Sequence, residues 1–116
     1  MQVDIKDAAR LNDMVKAGGA IASFIQGRTE QEYARDLLLR SAVERQVEII
    51  GEAARAISAA FKNAHPEISW TKIGETRNIL AHDYGMVKDD IMWRIAAVHV
   101  PELVGQVRPL LPPPPQ

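Results

Sequence analysis

An all-α, up-and-down bundle of four or five helices is the architecture this sequence predicts, and three observations predict it. Apolar residues recur at steps of three and four along nearly the whole chain. No segment alternates apolar and polar residues as a half-buried strand would. Aromatics are scarce, two each of Phe, Tyr and Trp in 116 residues, while Ala, Ile, Leu and Val are abundant. That composition suits helix packing better than a β-sandwich. Residues 1–111 read as a single helical domain and 112–116, "PPPPQ", as an extended, disordered Pro-rich tail too short to argue a binding motif.

The first helix runs from Asp4 to about Gln26, with Ala8, Leu11, Val15, Ile21 and Ile25 near helical spacing and Phe24 beside them. Gly18 and Gly19 weaken it, each costing about 1 kcal/mol against alanine. Gly27 is placed as a C-terminal stop. Thr29 with Glu32 three positions on is a capping-box pattern for the next helix. The spacing predicts one long second helix from about Glu30 to Lys62, buried along Leu39, Val43, Val47, Ile50, Ala54, Ile57 and Phe61, with Arg40, Glu44, Glu48 and Arg55 on other faces. Thirty such residues would extend about 45 Å, so a bend is expected. His65 before Pro66 breaks the pattern, and Ser69 is placed to cap a helix from Trp70 through Ile73 towards His82. After a turn at "DYGM", a final helix starts near Asp89 with Ile91, Ile95 and Val98 inward. Pro101 predicts a kink or break before Leu103, Val107 and Leu110.

Bulk properties exclude several function classes. A formal net charge of -1 gives no global electrostatic case for nucleic acid or an anionic membrane, so any RNA contact has to come from a local patch. Cysteine is absent, which removes disulfides, thiolate nucleophiles and zinc–thiolate sites. The N-terminal "MQVDIKDAARLND" has no apolar signal-peptide core, and no apolar run approaches the roughly 20 residues needed to span a bilayer. The expectation is a soluble, cytoplasmic protein with no membrane partner.

One stretch departs from plain amphipathic helix: "RNILAHDYG", Arg77 to Gly85. His82 titrates near neutrality and suits general acid or base work. Arg77 is permanently charged and forked, matched to phosphate oxygens. Asp83 alone would make a poor metal cage. Residues five apart on a helix point about 140° away from each other, so Arg77 and His82 do not share a face, whereas Asn78 and His82 do. Either the helix unwinds around His82, or a second subunit completes the site. A helix-end group of this kind also serves simply to cap neighbouring backbone, and from the stretch alone the two readings stand level.

The surrounding blocks shift that balance. "SAVERQVEIIGEAARAI" (41–57) followed by "HPEISWTKIGETRNILAHDYGMV" (65–87) resembles the HepT-like branch of the HEPN proteins. The resemblance covers about Arg35 to Leu111. It rests on the "IIGEA" block, the step from Pro66 to Trp70, and the spacing of Arg77, His82 and Tyr84. Where relatives often carry Gly-Met before the Arg-Asn pair, this chain has Glu75-Thr76, which adds an anion near the proposed site.

The resemblance implies a HEPN-like fold and a metal-independent endoribonuclease toxin that needs no cofactor. Its partners would be RNA, with no DNA expected, and an ATP-using nucleotidyltransferase antitoxin of the MntA type. It implies Arg77 and His82 as catalytic residues assisting 2′-hydroxyl attack on the neighbouring phosphate. Asn78 would be supporting, either holding one His82 tautomer or lining the cleft, with a buried structural asparagine as the alternative. Tyr84 would be the site of AMPylation, the adduct taking the place of an RNA phosphate beside Arg77. It also implies a two-fold homodimer whose paired signatures line one cleft, doubling the local positive charge. The competing reading is a non-catalytic helical module that docks to a nucleotidyltransferase; it leaves Arg77 and His82 without a purpose.

Other polar residues rank lower. Glu48 and Glu52, i and i+4, are placed to orient Arg77 or a partner subunit, but a solvated face accounts for them better. His65 reads as a loop residue, His99 as a surface or satisfied histidine, and Trp70 and Trp93 as core or interface anchors.

Overall fold

The computed structural model describes residues 3–82 and 89–112, residues 77–82 by their backbone alone. Every secondary-structure element among them is helical, which places the chain in the all-α class expected from the sequence. The elements are α1 (Ile5–Ile25), α2 (Glu30–Arg35), α3 (Leu37–Ala56), α4 (Ala59–Ala64), α5 (Trp70–His82), α6 (Asp89–Arg94), a π-helical turn (Ile95–His99) and α7 (Val100–Val107), with a 3₁₀ turn at Arg108–Leu110. The turn expected at "DYGM" and nearly all of the tail lie outside the described residues. No helix among the described residues is long and apolar enough to cross a membrane.

Local signals set most helix ends. The Asp4 carboxylate accepts from the Lys6 amide at 2.8 Å and caps α1. Gly27, at φ 72°, follows the end of α1, a left-handed conformation that glycine adopts without strain. The capping box is complete: Thr29 Oγ1 accepts from the Glu32 amide at 3.1 Å, and Glu32 Oε1 accepts from the Thr29 amide at 3.2 Å.

The single helix expected over Glu30 to Lys62 is instead three. Asp36 leaves helical geometry at φ -114°, ψ 97°, and its carboxylate caps α3 through the Leu39 amide at 3.1 Å. Ile57 and Ser58 are extended (ψ 142° and 150°), and Ser58 Oγ caps α4 through the Phe61 amide. Asp7 holds this second break. Its buried carboxylate accepts from both the amide and the hydroxyl of Ser58, at 2.8 and 2.6 Å, tying the first turn of α1 to the start of α4. The expected stripe survives both breaks, and all seven of its residues, Leu39 to Phe61, are buried.

The core lies where α1 packs between α3 and α7. Leu11, Met14, Ala17 and Ile21 face Val43, Val47 and Ile50 on one side and Val100, Leu103 and Val107 on the other. The last helical run departs from expectation. Met92 and Ala96 point inward, Ile91 and Val98 are exposed, and Ile95 is only partly buried. Of the kink or break expected at Pro101, the break does not occur; the helical run is instead distorted by the π-helical turn just before it. The Val100 amide bonds to the Ile95 carbonyl, i to i−5, and this wider turn carries the backbone into α7 with proline in its first turn, where a missing N–H is tolerated.

The glycine pair divides into two roles. A Cβ on Gly18 would collide with Val104 Cγ2 and lie 3.4 Å from Val100 Cγ1, so Gly18 lets α7 close onto α1. A Cβ on Gly19 meets nothing. Gly18→Ala should therefore destabilise by about 1–3 kcal/mol through overpacking. Gly19→Ala should stabilise by up to about 1 kcal/mol through helix propensity. Urea midpoints of the two variants, moving in opposite directions from wild type, check both.

Candidate active site

Helix α5 carries the signature. Its first turn is anchored by Trp70, whose Nε1 donates to the His65 carbonyl at 3.0 Å and whose ring meets Phe61 edge-on at 6.1 Å. His65 closes this corner, its ring 4.5 Å from Phe61 and its Nδ1 2.9 Å from Glu67 Oε1. That bond holds the Glu67 carboxyl below its usual pKa range. His65 is thus a loop residue and Trp70 an anchor, as expected.

From this corner α5 packs along α3. Its backbone stays helical through Arg77 and Asn78 to His82, where the element ends. Unwinding therefore begins no earlier than His82. Over those five residues the two backbone positions stand about 140° apart around the axis. Asn78 and His82 lie one turn apart on a common face. Tyr84 and its neighbour Asp83 lie outside the described residues. Glu75 is exposed, and the Thr76 hydroxyl donates to the Lys72 carbonyl at 3.1 Å.

Beside α5 the bundle is open. A groove of about 550 Å³ runs between α3, α5 and the π turn with α7. Val47, Ile50, Ile73 and Leu103 line it together with Lys72, Thr76, Glu75 and His99. Sequence periodicity gave no hint of it, because a groove arises where two helix faces fail to meet. His99 is an exposed groove residue, consistent with a surface histidine. Trp93 packs on Tyr33 at 5.7 Å and is partly buried, an anchor as expected.

The sequence reading also passed over a polar cluster joining α2, α3 and α6. Arg40 Nη1 donates to the Ala34 carbonyl at 2.6 Å, and its Nε lies 3.8 Å from Asp89 Oδ1. Burial raises the Glu44 carboxyl above its ordinary pKa, with Arg40 pulling it back and Asp89 pushing it further up. The Tyr33 hydroxyl, fully buried and without a partner among the described residues, is pushed up by burial and by the same two carboxylates. The available signal was Arg40 and Glu44 at i and i+4 inside a mostly apolar run. No three His, Asp or Glu side chains gather to hold a metal ion among the described residues.

Glu48 and Glu52 both turn to Arg45, at 3.1 and 4.0 Å, on an open face. This is the solvated arrangement. Alanine at either position should change stability by no more than about 0.5 kcal/mol, the scale of an exposed ion pair. Thermal melts of Glu48→Ala and Glu52→Ala check this, and a loss several times larger would restore a role for them beyond Arg45.

A family model described as "Ribonuclease HepT-like" matches residues 14–110. The chain is 33% identical over 100 residues to a Thermococcus cleftensis protein named "Probable ribonuclease HepT", covering 86% of this chain and 91% of the relative. It is 32% identical over 104 residues to "Putative RNase MJ1380" of Methanocaldococcus jannaschii, covering 90% and 94%. A third relative, from Caldanaerobacter subterraneus and also named an RNase, is 32% identical over 87 residues, covering 75% and 78%. No solved structure matches the chain. With the family match spanning most of the chain and relatives of about a third identity aligned nearly end to end, the protein belongs to the HepT-like ribonuclease family.

Proposed function

We propose that this chain is an endoribonuclease toxin that cleaves RNA without a metal, using Arg77 and His82. The observation that carries the proposal is the unbroken run of α5 to His82, in a chain of the ribonuclease family. It places Arg77 and His82 on one continuous helix. His82 takes or returns the proton as the 2′-hydroxyl attacks the adjacent phosphate. Arg77 stabilises the charge that builds on the phosphate oxygens. The leaving 5′-oxygen departs, and a 2′,3′-cyclic phosphate remains.

The angular separation along α5 supports a homodimer in which the two signatures line one cleft. Exposed apolar side chains near the start of α3 and in α6, Leu37, Leu38 and Ile91, are surface that a second subunit would cover. In this arrangement Arg77 of one subunit serves His82 of the other. Asn78, on the His82 face, orients the imidazole. Neutralisation by an ATP-using nucleotidyltransferase that adds AMP to Tyr84 follows the same electrostatics, since the adduct's phosphate competes with RNA for Arg77.

The test is a cleavage assay on purified protein with single-stranded RNA. Cleavage persists in EDTA and leaves cyclic phosphate ends, and Arg77→Ala and His82→Ala each abolish it. Mixing the two inactive variants regains activity, because an exchanged dimer carries one intact pair. Equal behaviour of wild type and both variants would leave the non-catalytic docking module as the reading. Co-expression with a nucleotidyltransferase partner should add AMP masses to the intact chain that disappear in Tyr84→Phe; an unchanged mass removes the modification.

A further inference from the structure

The groove beside α5 has no part in the reaction just described. Its floor is aliphatic, made by Val47 and Ile50 of α3, Ile73 of α5 and Leu103 of α7. Its edges are acidic on both sides. Glu67, just before α5, and Glu75 within it stand on one wall, Glu102 of α7 stands on the other, and all three residues are exposed. The His65 hydrogen bond holds the Glu67 carboxyl below its usual pKa range, so it is charged at neutral pH. Glu75 and Glu102 make no ion pair among the described residues. Against these carboxylates the groove sets Lys72 and the imidazole of His99. The second wall, from Ile95 in the π turn to Gln106 in α7, is about 17 Å long. A π turn of this kind recurs at functional sites.

From this geometry we infer that the groove docks a basic amphipathic helix of a partner protein, its apolar stripe on the aliphatic floor and its lysines or arginines against Glu67, Glu75 and Glu102. Charge complementarity selects this occupant. An RNA strand would bring phosphates up to three carboxylates, and like charges repel. A small cation would satisfy one edge and leave the other unmatched. Carboxylates on both walls, with an apolar floor between them, are the negative image of one helix type. Its apolar residues fall at i, i+3, i+4 and i+7, and cations flank them on both sides. Lys72, between Glu67 and Glu75 on the same wall, breaks the acidic run and favours one register of the partner's charges. No residue of this surface belongs to the Arg77–His82 pair, so the inference stands apart from the ribonuclease reading.

The test titrates three synthetic helical peptides of about 14 residues, long enough to cover the wall, into the full chain. Binding is read by fluorescence anisotropy and by backbone NMR shifts. The first peptide carries a leucine stripe flanked by lysine on both sides. The second has glutamate in place of lysine, and the third has serine in place of leucine. The first should bind with shifts concentrated in 67–76 and 95–106, and the other two should bind at least about tenfold more weakly. Glu75→Lys and Glu102→Lys, both at exposed positions, should each weaken the first peptide about 3- to 10-fold. Glu75→Gln should fall between, and Glu52→Lys, on the Arg45 face, should change nothing. No binding at millimolar peptide, equal binding of the lysine and glutamate peptides, or undiminished binding by Glu75→Lys and Glu102→Lys overturns the inference. A wild-type oligomer that dissociates in Glu75→Lys without peptide makes the groove a contact between copies of this chain instead. Shifts in the same two segments caused by a non-cleavable 2′-deoxy oligonucleotide make it a nucleic-acid path. Either result overturns the docked helix.

Discussion

The pitch of one helix governs this molecule. Because α5 is continuous from Trp70 to His82, the five-residue interval between Arg77 and His82 becomes a fixed angle of about 140°. A loop would have let the two groups converge; a helix does not. In the proposed reading the pair must satisfy that angle, and a second copy of the same helix related by a two-fold axis would do so. Each α5 then needs to be right on one face at a time. The demand for precision passes from the pair of residues to the seating of the helix.

That seating starts far from the signature. Trp70 pins the first turn of α5 through its indole N–H and the Phe61 ring, and Phe61 belongs to α4, whose N-terminal cap is locked by Asp7 from α1. Helix α1 is itself pressed against α7 across the bare surface of Gly18. Stability in a chain of 116 residues comes from few contacts, since small domains bury a modest share of their surface. A loss at Asp7 or Gly18 is thus felt along the chain of packing that ends at α5. The groove between α5 and α7 shows the other side of this economy. The bundle is closed where α1 sits and open along the side of α5 that carries Lys72, Ile73 and Thr76.

Sequence pattern revealed what depends on periodicity and capping. The α3 stripe, the Thr29–Glu32 box, the stop at Gly27 and the start of α5 at Trp70 were all legible, because each is a local rule with a local cause. The breaks at Asp36 and Ser58 were not, although both residues are good N-caps. The apolar spacing ran through them without a gap, and the Asp7 carboxylate that fixes the second comes from 51 positions away. The final helix misled for a different reason. Stepping back from Leu103 and Val107 by three and four gives Val100, Ala96 and Met92, the buried set. Ile91, Ile95 and Val98 also follow steps of four and three, so periodicity alone does not choose between the two sets. The Arg77, Asn78, His82 and Tyr84 cluster was visible as a pattern of types and spacing. Arg40 was not, because its partners, a backbone carbonyl and the first residue of a distant helix, have no signature in the chain.

Charge sets a last constraint on how such a protein meets RNA. The chain carries 14 Lys and Arg against 15 Asp and Glu, and several of its arginines already have acidic neighbours: Arg28 has Asp36, Arg45 has Glu48 and Arg40 has Asp89. A surface so balanced cannot hold a polyanion by bulk attraction, and binding through few phosphates carries a correspondingly shallow dependence on salt. Recognition then has to be local, and in the proposed reading it is made by the Arg77 guanidinium at one phosphodiester, doubled if two subunits share a cleft. In that reading, a single adduct on Tyr84 would suffice to silence the proposed site. Where one cation does the holding, one competing phosphate is enough to occupy it.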